Sequence, residues 1–102
     1  MSDPISWHKA AELDELADGQ LKAFEADGIP MVLSRLGNRY GALRDRCPHA
    51  GGPLSQGCIE NGLVVCPWHG REYDPLTGRC EGYQAAQAYA VEVREDGIFV
   101  AT

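Results

Sequence analysis

Cys47-Pro48-His49-Ala50-Gly51-Gly52-Pro53-Leu54-Ser55-Gln56-Gly57 and Cys66-Pro67-Trp68-His69-Gly70-Arg71-Glu72-Tyr73-Asp74 are the stretches that decide how this chain is read. The first opens as Cys-x-His and the second as Cys-x-x-His, with sixteen residues between His49 and Cys66. Each loop offers one soft thiolate and one imidazole, so two loops brought together supply two sulfurs and two nitrogens, a metal-binding donor set. Glycines at 51, 52 and 70 let backbone approach closely, and prolines at 48, 53 and 67 limit the loops' freedom. Random placement of four Cys and three His in 102 residues would rarely produce this set.

The donor set identifies ligands better than it identifies the metal. A single tetrahedral zinc accepts two Cys and two His, but zinc-finger loops pair Cys with Cys and His with His. A mixed pair on each loop suits a two-iron cluster, one iron taking both thiolates and the other both imidazoles. Zinc in the same ligands stays open on residues alone, as does a metal-free reading in which the cysteines are small buried hydrophobes. Cys-x-His followed by Cys-x-x-His, set among glycine and proline, resembles the Rieske [2Fe–2S] family. On that resemblance Cys47 and Cys66 bind one iron, His49 and His69 bind the other, and the chain carries one [2Fe–2S] cluster.

Length and charge bound the rest. A chain of 102 residues is expected to form one domain, 1–102, with a cluster-binding subdomain at about 46–70. The formal net charge of −6 argues against nucleic acid as a partner, because phosphate binding needs clustered Lys and Arg. The charge is uneven: Glu12, Asp14, Glu15 and Asp18 lie early, while Arg35, Arg39, Arg44 and Arg46 precede the first ligand. Those arginines read as ordinary solvated surface or as a means of orienting a partner. No window approaches the roughly eighteen apolar residues of a membrane span, and Met1-Ser-Asp-Pro-Ile-Ser-Trp7 has neither a basic start nor an apolar run. The expectation is a soluble, cytoplasmic protein. Cys58 and Cys80, left over after the ligands, are expected to be free thiols, with a bridge between them as the alternative.

Turn signals at Asp18-Gly19, Asp27-Gly28, Gly37-Asn38, Asn61-Gly62, Thr77-Gly78 and Asp96-Gly97 recur at the intervals of an all-β domain. Between them, residues 20–25, 30–35, 40–44 and 63–65 read as strands, and 89–94 with 98–101 as a closing hairpin. Only Ala10 to Ala17 offers a helix signal, at most two turns long. The expected fold is all-β, with antiparallel sheets forming a sandwich or partly open barrel and the cluster-binding loops inserted.

The resemblance carries further expectations. In the family's high-potential, membrane-anchored members a disulfide ties the two cluster loops; here its positions hold Gly52 and Trp68, which moves the chain towards the soluble ferredoxins. Those members also direct a Ser and a Tyr hydroxyl at the cluster, where this chain has Arg71 and Tyr73. A potential in the lower part of the class range, roughly −150 to +300 mV, is therefore expected. Tyr73 reads either as a donor to a ligand sulfur or as an aromatic packed under the loop. Trp68, Pro48, Pro53 and Leu54 read as an apolar docking rim, with packing over the cluster as Trp68's rival role, and His8 as a surface or strand residue. The implied function is that of a one-electron carrier and not an enzyme, fed by a flavin-dependent reductase and emptied by a terminal oxygenase or other oxidoreductase. The alternatives are a Rieske small subunit of a larger enzyme, such as an assimilatory nitrite reductase, and a zinc-stabilised interaction module.

Overall fold

The computed structural model describes residues 5–48 and 50–102. Its strands, in chain order, are β1 Trp7–Ala11, β2 Leu21–Ala26, β3 Ile29–Leu36, β4 Arg39–Arg44, β5 Cys58–Glu60, β6 Leu63–Val65, β7 Glu72–Tyr73, β8 Ala88–Tyr89, β9 Val91–Arg94 and β10 Gly97–Ala101. They form antiparallel sheets of order β1-β10-β9, β2-β3-β4-β8 and β5-β6-β7. A single 3₁₀ turn, Leu54–Gln56, is the one helical element among the described residues. The fold is all-β with open sheets, as the turn spacing implied.

Local chemistry sets the hairpins. Asp27-Gly28 joins β2 to β3 and Asn61-Gly62 joins β5 to β6, each with both residues at positive φ, the conformation that matches the twist of a two-residue hairpin. The expected closing hairpin is β9 with β10, turned at Glu95-Asp96.

The β3 run Met31-Val32-Leu33 is buried throughout because its sheet is covered on both faces. Met31, Leu33 and Ala42 join Ala10, Ile98 and Val100 in one core beneath the first sheet. Val32 and Leu43 point the other way, into a second core with Cys47, Leu54, Val64, Cys66 and Tyr73. This second core is the floor of the two Cys-bearing loops.

The expected helix at 10–17 does not form. Ala10 and Ala11 are the buried end of β1, paired to β10, and the chain then turns, with Leu16 dropped into the first core. Two turns are too short to be stable alone, so pairing with β10 overrides local propensity. His8 lies on β1, its Nε2 3.2 Å from Thr102 Oγ1.

Candidate metal centre

The two loops share a plan that their sequences also share, Cys-Pro-x-x-Gly. In the first, the Gly51 amide donates to the Cys47 carbonyl at 2.7 Å, and the Cys47 amide donates to the Gly52 carbonyl at 2.7 Å. In the second, the Gly70 amide donates to the Cys66 carbonyl at 3.0 Å, and the Cys66 amide donates to the Arg71 carbonyl at 2.9 Å. Gly51 and Gly70 sit at φ +77° and +73°, where a side chain would be strained. Each cysteine thus opens a reverse turn closed by a left-handed glycine.

The scaffold aims both turns. β4 ends just before Asp45, whose Oδ1 accepts from the Ser55 amide at 2.7 Å and whose Oδ2 accepts from the Ser55 hydroxyl at 2.5 Å. That clasp closes the first loop at its base. Sequence reading missed Asp45, since an acid ten residues from a serine carries no spacing signal. β6 leads directly into Cys66, and the pairing of Val64 with Tyr73 brings the tyrosine back beneath the loops.

Cys47 and Cys66 come together in the second core, both essentially without solvent exposure. The Tyr73 hydroxyl lies 3.1 Å from Cys47 Sγ and the ring is fully buried, so its two expected roles are one. Burial pushes the phenol well above its usual range, and the Cys47 hydrogen bond and the nearby Cys80 and Cys66 add to that shift. The phenol therefore keeps its proton through the alkaline range and acts as donor whenever Cys47 is a thiolate. A buried thiolate needs such a donor, and the arrangement fits two iron-ligating sulfurs. Tyr73→Phe removes the hydrogen bond while keeping the ring; protein-film voltammetry is expected to find the reduction potential lowered by tens of millivolts, and an unchanged potential would remove this role.

His69 is exposed beside the buried sulfurs, bordering a groove with Arg71 and Tyr83. Arg71 stacks its guanidinium 3.6 Å over the Tyr83 ring. Trp68 lies against the Cα of Gly52 yet stays 57% exposed, so it packs and faces solvent at once. Pro48 and Pro53 are half-buried. Leu54 does not join the expected rim: it is fully buried, because it opens the 3₁₀ turn and points down beneath the loop. Among the described residues no three Cys, His, Asp or Glu side chains converge as a metal cage; the remaining expected ligand, His49, lies outside them. Cys58 and Cys80 carry free thiols, the first exposed and the second buried.

Two matched Cys-Pro-x-x-Gly turns over a shared sulfur-rich floor define a small all-β protein with the thiolate half of a metal-binding donor set in place. The chain belongs to the Rieske [2Fe-2S] domain family, whose model matches residues 6–98. It is 35% identical over 72 residues to the anthranilate 1,2-dioxygenase ferredoxin subunit of Burkholderia cepacia, covering 71% of this chain and 67% of that one. The ferredoxin of carbazole 1,9a-dioxygenase from Nocardioides aromaticivorans IC177 superposes with a TM-score of 0.87 at 29% identity, covering 93% of this chain and 96% of that one. Human apoptosis-inducing factor 3 is 30% identical over 89 residues, covering 84% of this chain, which spans only 15% of that protein's length. The family's cofactor is one [2Fe–2S] cluster, and the donor set here fits it.

Proposed function

We propose that this protein is a one-electron carrier that takes electrons from a flavin-dependent reductase and delivers them to a terminal oxygenase, without substrate chemistry of its own. Cys47 and Cys66 hold one iron, His49 and His69 the other, and residues 46–70 act as the cluster-binding subdomain of a single domain, 1–102. When bound, the cluster supplies a site that gains and loses one electron. The observation that carries the reading is the buried Cys47, hydrogen-bonded by Tyr73 and sharing a core with Cys66, next to an exposed His69. Sulfur is thereby kept from water while His69 stays open to a partner's approach, which is the geometry electron exchange needs. Likeness over nearly the full length of a dioxygenase ferredoxin supports the carrier role and an oxygenase as acceptor.

Arg71 stands where high-potential members place a serine, and its guanidinium is engaged by Tyr83. A potential in the lower part of the class range follows. Free thiols at Cys58 and Cys80 support a reducing, cytoplasmic location. No helix among the described residues is long and apolar enough to cross a membrane.

The test is electron paramagnetic resonance of the purified protein before and after dithionite, with iron and sulfide counted on the same sample. A signal that appears only on reduction, with two irons and two sulfides per chain, is expected. One zinc per chain and a silent spectrum, in protein made with iron and sulfide supplied, would replace this reading by the zinc-stabilised module.

A further inference from the structure

The protein is acidic as a whole, yet the surface beside its first cluster loop is cationic. A groove borders Pro48, lined on one side by Arg44 and Arg46 and on the other by residues Gln84 to Gln87, with no acidic side chain in it. Both arginines are exposed, and the Arg46 Nε lies only 3.6 Å from where a Cβ on Gly51 would stand. The Arg44 amide donates to the Gln87 carbonyl at 2.8 Å, which fixes the far wall. Asp45, between the arginines, has both carboxylate oxygens on Ser55.

Lys9 pairs with Glu12, Lys22 with Glu15 and Arg94 with Glu92, and Arg39 shares a groove with Asp74, whereas the Arg44–Arg46 groove holds no acidic side chain and, among the described residues, neither arginine is in an ion pair. The groove beside His69 differs: Arg71 and Arg79 share it with Glu72, Asp74 and Glu81, so its charges largely cancel. One flank of the cluster loops is therefore positive, on a chain of net charge −6.

Resting on the carrier reading, we propose that the Arg44–Arg46 groove is a docking surface for a carboxylate-bearing face of a redox partner, guiding it to the first cluster loop. Two unpaired guanidiniums offer forked donors that match carboxylates, and the glutamine amides add neutral donors without repulsion. Local potential rather than net charge governs approach at close range, because charges more than about 10 Å away are screened at 0.1 M salt.

Small redox ions test this with the holoprotein itself. Ferricyanide, an anion standing in for the partner's carboxylates, takes one electron from the reduced protein and becomes ferrocyanide, with no proton moved. Stopped-flow rates with ferricyanide are expected to fall as salt rises, opposite to what a charge of −6 dictates, and those with cationic hexaamminecobalt(III) to rise. Arg46→Glu is expected to slow ferricyanide at low salt by roughly three- to tenfold. Arg39→Glu, which makes the same change from −6 to −8 at the exposed start of β4, is expected to leave the rate nearly unchanged. In the oxidised holoprotein, redox-inert hexacyanochromate(III) is expected to broaden the Gln84 and Gln87 side-chain amide resonances before that of Asn38. Ferricyanide rates that rise with salt, or equal slowing by Arg39→Glu and Arg46→Glu, would overturn the proposal while leaving the carrier reading intact. A chain that takes up no reducible cluster would overturn both.

Discussion

Gly57→Ala is expected to lower the melting temperature of the holoprotein by at least about 12 °C and to reduce its iron content. Gly57 has φ −83° and ψ −150°, which alanine adopts freely, so backbone strain is not the cause. The cause is space. A Cβ there would overlap the Val65 carbonyl and lie 3.2 Å from the Leu54 carbonyl. Neither neighbour can rotate away, since both are backbone. Leu54 O accepts the Gly57 amide at 3.0 Å, while Val65 is laddered to Cys58 and Glu72 and immediately precedes Cys66. Relief requires shifting the end of the first loop or the start of the second. Overpacking of this kind costs about 3 kcal/mol at the upper end of its usual range, and each kcal/mol is worth about 4–8 °C in a domain of this size. Gly62→Ala is the comparison: φ is +78° with no atom within 4 Å, so only the left-handed conformation counts against it, about 1–2 kcal/mol. Calorimetry that finds Gly57→Ala melting no lower than Gly62→Ala would show that the loops do not meet through this contact.

The case of Gly57 also shows where sequence reading stops. A glycine that closes the Asn61-Gly62 hairpin announces itself by its neighbour and by the strands it joins, and that turn is legible. Gly57 is followed by a three-residue strand, Cys58–Glu60, which carries too little periodicity to be recognised alone and forms because β6 lies opposite. β7 has the same character: Glu72–Tyr73 is a strand only through its pairing with Val64 and Val65. Long alternating or continuous apolar segments such as 30–35 and 40–44 needed no such help.

The candidate centre divides along the same line. The Cys and His spacing is local and visible, and the resemblance it supports led to the family. The Asp45–Ser55 clasp, the inward turn of Leu54 and the separation of Arg44 and Arg46 from acidic partners are tertiary facts. None of them has a sequence period. The shared Cys-Pro-x-x-Gly plan is itself local, with histidine third in one copy and fourth in the other. Two copies of one turn hold Gly51 and Gly70 alike in the left-handed conformation, where the sequence alone marks them only as points of close backbone approach.

Trp68→Ala is expected to speed cluster loss to a chelator by about five- to thirtyfold with little change in reduction potential. Gly52 and Trp68 occupy the positions that a disulfide joins in the high-potential relatives, and here an indole lying on a bare Cα makes the connection instead. With 57% of the residue exposed, roughly two fifths of its area is covered, or on the order of 100 Å². At about 25 cal/mol per Å² that sets an upper bound near 2.5 kcal/mol, of which about 1–2 kcal/mol is a reasonable share for holding the loops together. Such a tie matters most for opening of the loops, because the rest of the fold has its own cores. Gly52→Ala attacks the same contact from the other side: its Cβ would stand 2.8 and 2.9 Å from Trp68 Cδ2 and Cγ, the inner edge of the ring, so the indole must lift. Each change alone is expected to release the cluster faster, and the double variant no faster than the worse single one, because the second change finds the contact already broken. Additive acceleration would mean that the two residues act through different neighbours, and the loops would then be held by the sulfur-rich floor alone.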